Sequence, residues 1–309
     1  MVRLLALAIG LALVLPVQGA ARDLAQFVAN GAVFLLFFLN GLRLPRGDVR
    51  AGMGNHRLLW PLVGWVFGAM GLAGWLLWQG GQGWMPHLLA LGFLYLGCLP
   101  STVQSATAYS SLAGGNVASS VVAAALLNIL GVFITAPLFS LLAGSGAAEF
   151  RAEGLVKVVT ILLIPFLLGQ ALQGKLGAWV AGHRPLVTRM DRTSIAIAVY
   201  VAFSGAVVQR FWERIDAVGW TWLAGGTALF LVFGHFGAWL VGGSVRLDRA
   251  NRISFLFAGA QKSIAMGAPL ATVLFAPAAA GIVLLPILLY HLVQLVIAAP
   301  IAARLNRSG

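Results

Sequence analysis

The 309-residue chain is 60% hydrophobic and only 9% charged, whereas a soluble domain has about 25% charged residues. So few charges cannot cover a water-facing surface, which excludes a soluble globular protein. The net charge of +12 comes from basic residues spread over short loops, which excludes the basic-aromatic surface of a nucleic-acid-binding protein. Apolar runs of about 20 residues can cross a bilayer, and their backbone groups must pair locally, so we expect an all-α polytopic membrane protein.

Taken in chain order, the apolar runs predict ten transmembrane spans joined by short connections. The first run follows Arg3 and has two interpretations, a first span or a signal peptide over residues 1–20 that is cleaved. The predicted spans cover about residues 3–19, 26–43, 57–79, 86–112, 117–144, 154–174, 191–209, 217–244, 252–274 and 278–303.

The positions of the charges predict how these spans are oriented. With the N-terminus in the cytoplasm, 14 of the 20 basic residues lie at cytoplasmic ends of spans, four lie at the opposite ends, and Lys157 and Lys262 fall inside spans. This asymmetry predicts a protein of the cytoplasmic (inner) membrane with both termini in the cytoplasm. All eight acidic residues fall in loops or at span ends, so we expect no carboxylate within the membrane.

The chain is predicted to form a single integral membrane domain of two halves, residues 1–148 and 149–309. Each half has five spans, so the second half enters the membrane in the opposite sense, as in the inverted repeats of many secondary transporters. The fourth span contains Val103-Gln-Ser-Ala, and the ninth contains the similar segment Ala260-Gln-Lys-Ser. Both similar segments lie in spans interrupted by glycine or proline, which favours a binding site where the two spans unwind.

Small polar side chains crowd into these two spans. Unless they pair with each other or face a polar cavity, such groups are unfavourable in hydrocarbon. The alternative is that the hydroxyls bond to their own helices and that Pro100 only bends the span. The candidate binding residues are Ser101, Thr102, Gln104 and Ser105 in the fourth span and Gln261, Lys262 and Ser263 in the ninth.

Lys262 is the most informative of these candidates, because it lies about ten residues beyond Arg252, near the middle of the bilayer. A charged lysine there costs about 2.5–3.5 kcal/mol on insertion scales. Its ammonium could remain charged if carbonyl, Gln and Ser groups stabilise it, and it would then take the place of a bound cation. Loss of hydration could instead favour the neutral amine, so that the lysine gains and loses a proton during a cycle. A purely structural role, tying two unwound helices together, is the third interpretation.

Three further polar residues are candidates for the same site: Asn128 in the fifth span and His291 with Gln294 in the tenth. Each of them could instead form only an interhelical hydrogen bond.

Three motifs carry a resemblance to a known family: Leu99-Pro-Ser-Thr-Val-Gln-Ser-Ala, Gly114-Gly-Asn-Val-Ala and Gly259-Ala-Gln-Lys-Ser. The chain resembles the bile acid:sodium symporter superfamily over about residues 4–303, and it looks closest to the divergent SBF-like branch. The resemblance implies ten helices in two inverted repeats, with unwound helices that cross in the fourth and ninth spans. It also implies alternating-access transport of organic anions, often driven by sodium.

The resemblance implies a sodium site near Ser105, Ser120 and Gln261. Sodium-coupled members carry asparagine where this chain has Lys262, and they carry a glutamate shortly before it, where this chain has Phe257 or Ala258. We therefore expect weak or absent sodium dependence.

These observations predict a secondary active transporter of an organic anion or related small organic solute, coupled to sodium or to protons, with Lys262 replacing a bound cation. The alternative is a regulatory or ligand-sensing membrane protein of the same fold that does not transport. We do not expect an enzyme, because the spans lack a metalloprotease motif, a carboxylate dyad and clustered Cys or His residues. A sodium ion is the one candidate cofactor, and the oligomeric state stays open.

Overall fold

The computed structural model describes residues 2–43, 55–144 and 159–307, and the structural statements below concern these residues. Within them the chain is helical. The helices are α1 Val2–Val14, α2 Ala20–Arg43, α3 His56–Gly81, α4 His87–Cys98, α5 Val103–Leu112, α6 Val117–Ala143, α7 Val159–Gly182, α8 Arg184–Val208, α9 Ala217–Ser244, α10 Arg249–Ala260, α11 Ile264–Leu274 and α12 Pro277–Arg307.

Seven helices of the described residues are long and apolar enough to cross a membrane, and the bent pair α4 and α5 makes an eighth candidate span. The predicted count of ten is therefore matched only in part. Helix α1 has 13 residues, and α10 and α11 have 12 and 11 residues. Each of these is shorter than the roughly 20 residues that a single span needs.

Several predicted boundaries were wrong because hydropathy marks the stretch in lipid, whereas a helix continues past it into polar sequence. Helix α2 begins at Ala20 rather than near residue 26, and α8 begins at Arg184 rather than near residue 191. Two acidic residues expected in a loop or at a span end, Asp23 and Asp191, consequently lie within helices. The predicted start of the sixth span, at residues 154–158, lies outside the described residues.

The two interruptions expected in the fourth and ninth spans are confirmed. Residues 99–102 separate α4 from α5, which are bent by 61°, and residues 261–263 separate α10 from α11. Pro100 lies in the first interruption, where it removes a helix donor. Pro269 does not mark the second one, because it lies inside α11. At the second interruption a main-chain group bonds to another segment instead of within its own helix: the backbone N–H of Ser263 donates to the carbonyl of Pro100 at 3.0 Å.

Three long helices contain a π-helical segment: Gly64–Ala69 in α3, Val159–Leu163 in α7 and Phe233–Gly237 in α9. Such segments shift the i→i−4 hydrogen-bond pattern and are frequent at functional sites. After α3 and α9 the next helix has 12 residues, α4 or α10, and ends at one of the interruptions. The same order of features thus occurs twice along the chain.

The helices group into two compact units, and each unit takes segments from both predicted sequence halves. The first unit comprises residues 2–43, 144, 159–216 and 267–284 of the described chain. Within it α2 packs so closely on α7 that a Cβ added to Gly41 would clash with the carbonyl oxygen of Phe166. The absence of a side chain at Gly41 permits this contact. The side chain of Gln170 donates to the Gly41 carbonyl at 2.5 Å.

An ion pair between Arg43 and Asp191 also lies in the first unit, near the end of α2. The second unit comprises residues 55–143, 217–266 and 285–307 and contains both interruptions. The polar groups predicted to form the binding site therefore belong to the second unit.

Candidate functional site

The two interruptions are bonded directly to each other. Besides the bond from Ser263 to Pro100, the Thr102 hydroxyl donates to the carbonyl of Lys262 at 2.8 Å. The Ser105 hydroxyl donates to Oε1 of Gln261 at 2.8 Å. The breaks leave main-chain groups without partners in their own helix, and these bonds supply partners for them and for the polar side chains nearby. The predicted meeting of the two polar segments is thus observed.

Lys262 lies at the centre of this meeting point, and its side chain is only 1% exposed. Its Nζ donates to three main-chain carbonyls, those of Val66, Gly97 and Leu99, at 3.1, 2.8 and 2.7 Å. An ammonium has three donors, so all of them are used. The bonding partners are main-chain carbonyls, whereas Gln and Ser side chains had also been expected around the ammonium.

The origin of these carbonyls explains why a cation is stable there. Gly97 and Leu99 lie at the C-terminal end of α4, where carbonyls have no partner within the helix. The negative end of the helix dipole also lies there and favours a positive charge. Val66 comes from the π-helical segment of α3. Three neutral oxygens and a helix terminus therefore surround the charge.

Gln294 holds the backbone of Lys262 in this position. The Lys262 N–H donates to Oε1 of Gln294 at 2.8 Å, and Nε2 of Gln294 donates to the Lys262 carbonyl at 3.1 Å. Nε2 also lies 2.9 Å from Nδ1 of His291. Because the Lys262 N–H fixes Oε1, Nε2 must be the donor to His291, which accepts at Nδ1. Gln294 and His291 therefore support Lys262, as the interhelical alternative suggested.

Two further contacts complete the arrangement. Nδ2 of Asn128 donates to the carbonyls of Ser101 and Ala124, at 2.7 and 2.8 Å, and so anchors the first interruption. The Tyr290 hydroxyl donates to the carbonyl of Ala260, the last residue of α10, at 2.6 Å. Sequence reasoning did not select Tyr290, because a tyrosine in an apolar run resembles core packing. The sequence feature that could have identified Tyr290 is its spacing of four residues from Gln294, which places both side chains on one helix face.

Some polar groups of the predicted residues lie outside the bonded network. Gln104 is exposed. The hydroxyls of Ser101 and Ser120 and the Nε2 of Gln261 are buried, and none of them has a partner among the described residues. The proposed sodium ligands Ser105 and Gln261 are brought together, whereas Ser120 is not bonded to either. The donor set consists of neutral oxygens, and residues 257 and 258 are Phe and Ala, so no carboxylate balances a bound cation there.

A second polar network joins the turn after α5 to the start of α10. The backbone N–H of Asn116 donates to the Ala250 carbonyl at 3.0 Å, and the Ser254 hydroxyl donates to the Asn116 carbonyl at 2.8 Å. Asp248 caps α10 by accepting from the Asn251 N–H at 2.9 Å. The backbone and side-chain N–H groups of Asn251 both donate to the Asp248 carboxylate and hold its pKa below the ordinary value. The motif that contains Asn116 gives no signal for this contact.

The model of the SBF-like CPA transporter family matches residues 1–307. The chain belongs to this family. A protein of Pseudomonas aeruginosa of uncharacterized function is 36% identical over 298 residues, which cover 96% of this chain and 90% of the relative. YfeH of Escherichia coli, named as a candidate symporter, is 35% identical over 94% of this chain and 88% of its own length.

A more distant relative is the sodium/bile acid cotransporter 7 of Rattus norvegicus, which is 21% identical over 86% of this chain and 79% of its own length. Membership of the family and the apolar helices together identify a multi-pass membrane protein of a transporter family. The expected resemblance to the SBF-like branch is confirmed.

Proposed function

We propose that this member of the SBF-like family is a secondary transporter that moves an organic anion or a related small organic solute by alternating access. In this proposal the Lys262 ammonium occupies the place of a coupling cation. The observation that carries it is the bonding of Nζ to three main-chain carbonyls at the junction of two broken helices. Broken helices whose freed carbonyls hold a cation are a recurring device of secondary transporters.

The surroundings of the junction favour an anionic solute. Helices α5 and α11 begin there, and helix N-termini carry a partial positive charge that attracts anions. The Nε2 of Gln261 and the hydroxyl of Ser101 are buried donors without described partners, so they can bond to solute oxygens. The fixed charge of Lys262 adds to the positive potential. A solute with a carboxylate, sulfonate or similar group fits these donors best.

Two relatives are named for symport, and one of these names specifies sodium and bile acid. For this chain we propose weak or absent sodium dependence, because an ammonium and a sodium ion compete for the same oxygens and repel each other. Proton coupling through Lys262 is the alternative coupling mode. The bile acid of the relative's name does not define the solute, since the pocket that selects it depends on side chains that differ at 21% identity.

The ten-span inverted-repeat plan is part of the proposal. Helix α1 and the broken pair α10–α11, added to the eight candidate spans, would give ten. The repeated order of π-helical segment, 12-residue helix and interruption supports two equivalent halves. The asymmetry of basic residues supports an inner-membrane location with both termini in the cytoplasm.

The test is uptake by proteoliposomes that contain the purified protein. Radiolabelled taurocholate and a set of smaller carboxylates and sulfonates serve as solutes, under an imposed sodium gradient, an imposed proton gradient, or neither. We expect protein-dependent uptake of at least one anion, with less than about a twofold effect of the sodium gradient. A Lys262→Gln variant opens the carbonyl site, and we expect its uptake to be slower or to become sodium-dependent.

Two results would contradict the proposal. Sodium-dependent uptake in the wild type that persists unchanged in Lys262→Gln would show that sodium binds elsewhere and that Lys262 does not replace it. Saturable binding of an anion to the purified protein without any flux would instead support the regulatory or ligand-sensing alternative. The exposed Lys175, changed to Gln, is the matched control for loss of a lysine charge.

A further inference from the structure

An apolar groove of about 390 Å³ lies in the second unit, away from the junction residues. One wall runs along α9 from Leu231 to Trp239, and the other runs along α12 from Ile297 to Leu305. The buried side chain of Leu256 from α10 lies between them. Ligand sites in proteins have volumes of about 300–1,000 Å³, so the groove is large enough to hold part of a ligand.

The length of the groove matches one leaflet of a bilayer. Each wall extends over eight residue steps, which correspond to about 12 Å at 1.5 Å per residue. Half of the hydrocarbon core is about 15 Å thick. Both walls belong to candidate spans, and the lining residues Val232 and Phe236 are 64% and 63% exposed. Apolar residues exposed on a span contact hydrocarbon, so an extended acyl chain can lie along the groove.

Arginines border one end of the groove. Arg252 donates from Nε to the Trp239 carbonyl at 2.9 Å, and its guanidinium lies 3.9 Å from the centre of the Trp239 ring. Arg249 donates to the carbonyl of Leu305, the last lining residue of α12. The nearest acidic residue in sequence, Asp248, bonds to Asn251. The terminal residues of both walls thus contact an arginine, and Trp is typical of the membrane interface.

We propose that this groove binds one acyl chain of an anionic phospholipid whose phosphate lies between Arg249 and Arg252. The groove supplies the apolar contact, which any phospholipid can use. The arginines can bond to the phosphate of any phospholipid, and their positive charge selects a lipid with net negative charge, because the ammonium of a zwitterionic headgroup offsets the phosphate charge. This site is separate from the junction at Lys262 and does not depend on the transport proposal.

His235 provides the one polar side chain deep in the groove. Its Nδ1 lies 2.9 Å from the Leu231 carbonyl and must donate to it, which leaves Nε2 as an acceptor in the neutral ring. Nε2 has no partner among the described residues. His235 lies one helical turn from Trp239 along α9.

The experiment is native mass spectrometry of the full-length protein in detergent, titrated with dioleoyl phosphatidylglycerol or dioleoyl phosphatidylcholine. Arg252→Gln removes the phosphate contact, and Ile297→Trp fills the groove. Arg246→Gln removes an equal charge from the same connection without bordering the groove. Val296→Trp adds the same bulk at a neighbouring position that is 72% exposed.

We expect the wild type to bind phosphatidylglycerol about tenfold more tightly than phosphatidylcholine, because the choline ammonium of phosphatidylcholine offsets the phosphate charge that the arginines attract. Arg252→Gln should abolish this ratio, Ile297→Trp should weaken the binding of both lipids, and the two control variants should behave like the wild type. Equal binding of both lipids to the wild type would overturn the proposal. So would equal losses in Arg252→Gln and Arg246→Gln, or unchanged binding in Ile297→Trp. If Arg252→Gln does not fold, the pair Ile297→Trp and Val296→Trp decides the outcome alone.

Discussion

Replacing Lys262 by methionine removes the ammonium while keeping an unbranched side chain of similar length. Three buried carbonyls, those of Val66, Gly97 and Leu99, then lose their donor. Each buried group left without a partner costs about 1–3 kcal/mol. The variant also no longer buries an ammonium, which offsets part of this cost. With the lower value for each carbonyl, we expect a loss of about 3 kcal/mol, or a fall in Tm of about 6 °C for a chain of this size.

The assay is thermal unfolding of the purified protein in detergent, in potassium or sodium chloride at constant ionic strength. Lys175→Met is the control, because Lys175 is exposed and its loss should change Tm by less than about 1 °C. A Lys262→Ala variant leaves space for a small cation among the carbonyls. At a concentration of 100 Kd, sodium or methylammonium should stabilise this variant by about 2.7 kcal/mol.

The reasoning fails if Lys262→Met unfolds at the wild-type temperature, because the carbonyls would then not need the ammonium. It also fails if sodium stabilises the wild type as much as Lys262→Ala. That result would mean that the cation site is open while Lys262 is present.

Three other predictions concern the elements that hold the site together. Tyr290→Phe leaves the buried Ala260 carbonyl without its donor and should lower Tm by about 2–4 °C. The control Tyr200→Phe removes an exposed hydrogen bond to Leu15 and should change Tm much less. Equal shifts in the two variants would show that burial of the bond is unimportant. In Gly74→Ala the new Cβ would lie 2.6 Å from the Phe93 carbonyl oxygen, so we expect destabilisation by about 1–3 kcal/mol in chemical denaturation. Gly80→Ala has open space and should be neutral or stabilising by up to about 1 kcal/mol, and the opposite ranking would refute the packing argument. The lowered pKa of Asp248 stabilises the fold above the ordinary carboxyl pKa of about 3.9, and this contribution is lost as pH falls through the folded value. Asp248→Asn should therefore keep the helix cap but show a smaller fall in Tm between pH 5 and pH 3 than the wild type, whereas parallel curves would contradict this assignment.

Much of the binding junction could be predicted from residue types alone. A lysine, two glutamines and several hydroxyls have no stable place in hydrocarbon unless they pair, so their clustering in two interrupted spans indicated that the spans meet. The bonds from Thr102 to Lys262 and from Ser105 to Gln261 bear this out. Pro100 marked the first interruption. No comparable marker lies at the second, and the helix ends there because Gln294, Thr102 and Pro100 bond to its backbone instead.

The sequence by itself determined that the chain lies in a membrane, that it is helical and that its polar groups gather at two interruptions. These properties follow from local composition, since a bilayer leaves few choices for an apolar chain. Only the tertiary structure decided that the ammonium of Lys262 bonds to carbonyls of α3 and α4, because residues nearly 200 positions apart must meet before such bonds exist. The groove bordered by Arg249 and Arg252 depends in the same way on how α9, α10 and α12 pack, which hydropathy along the chain does not encode.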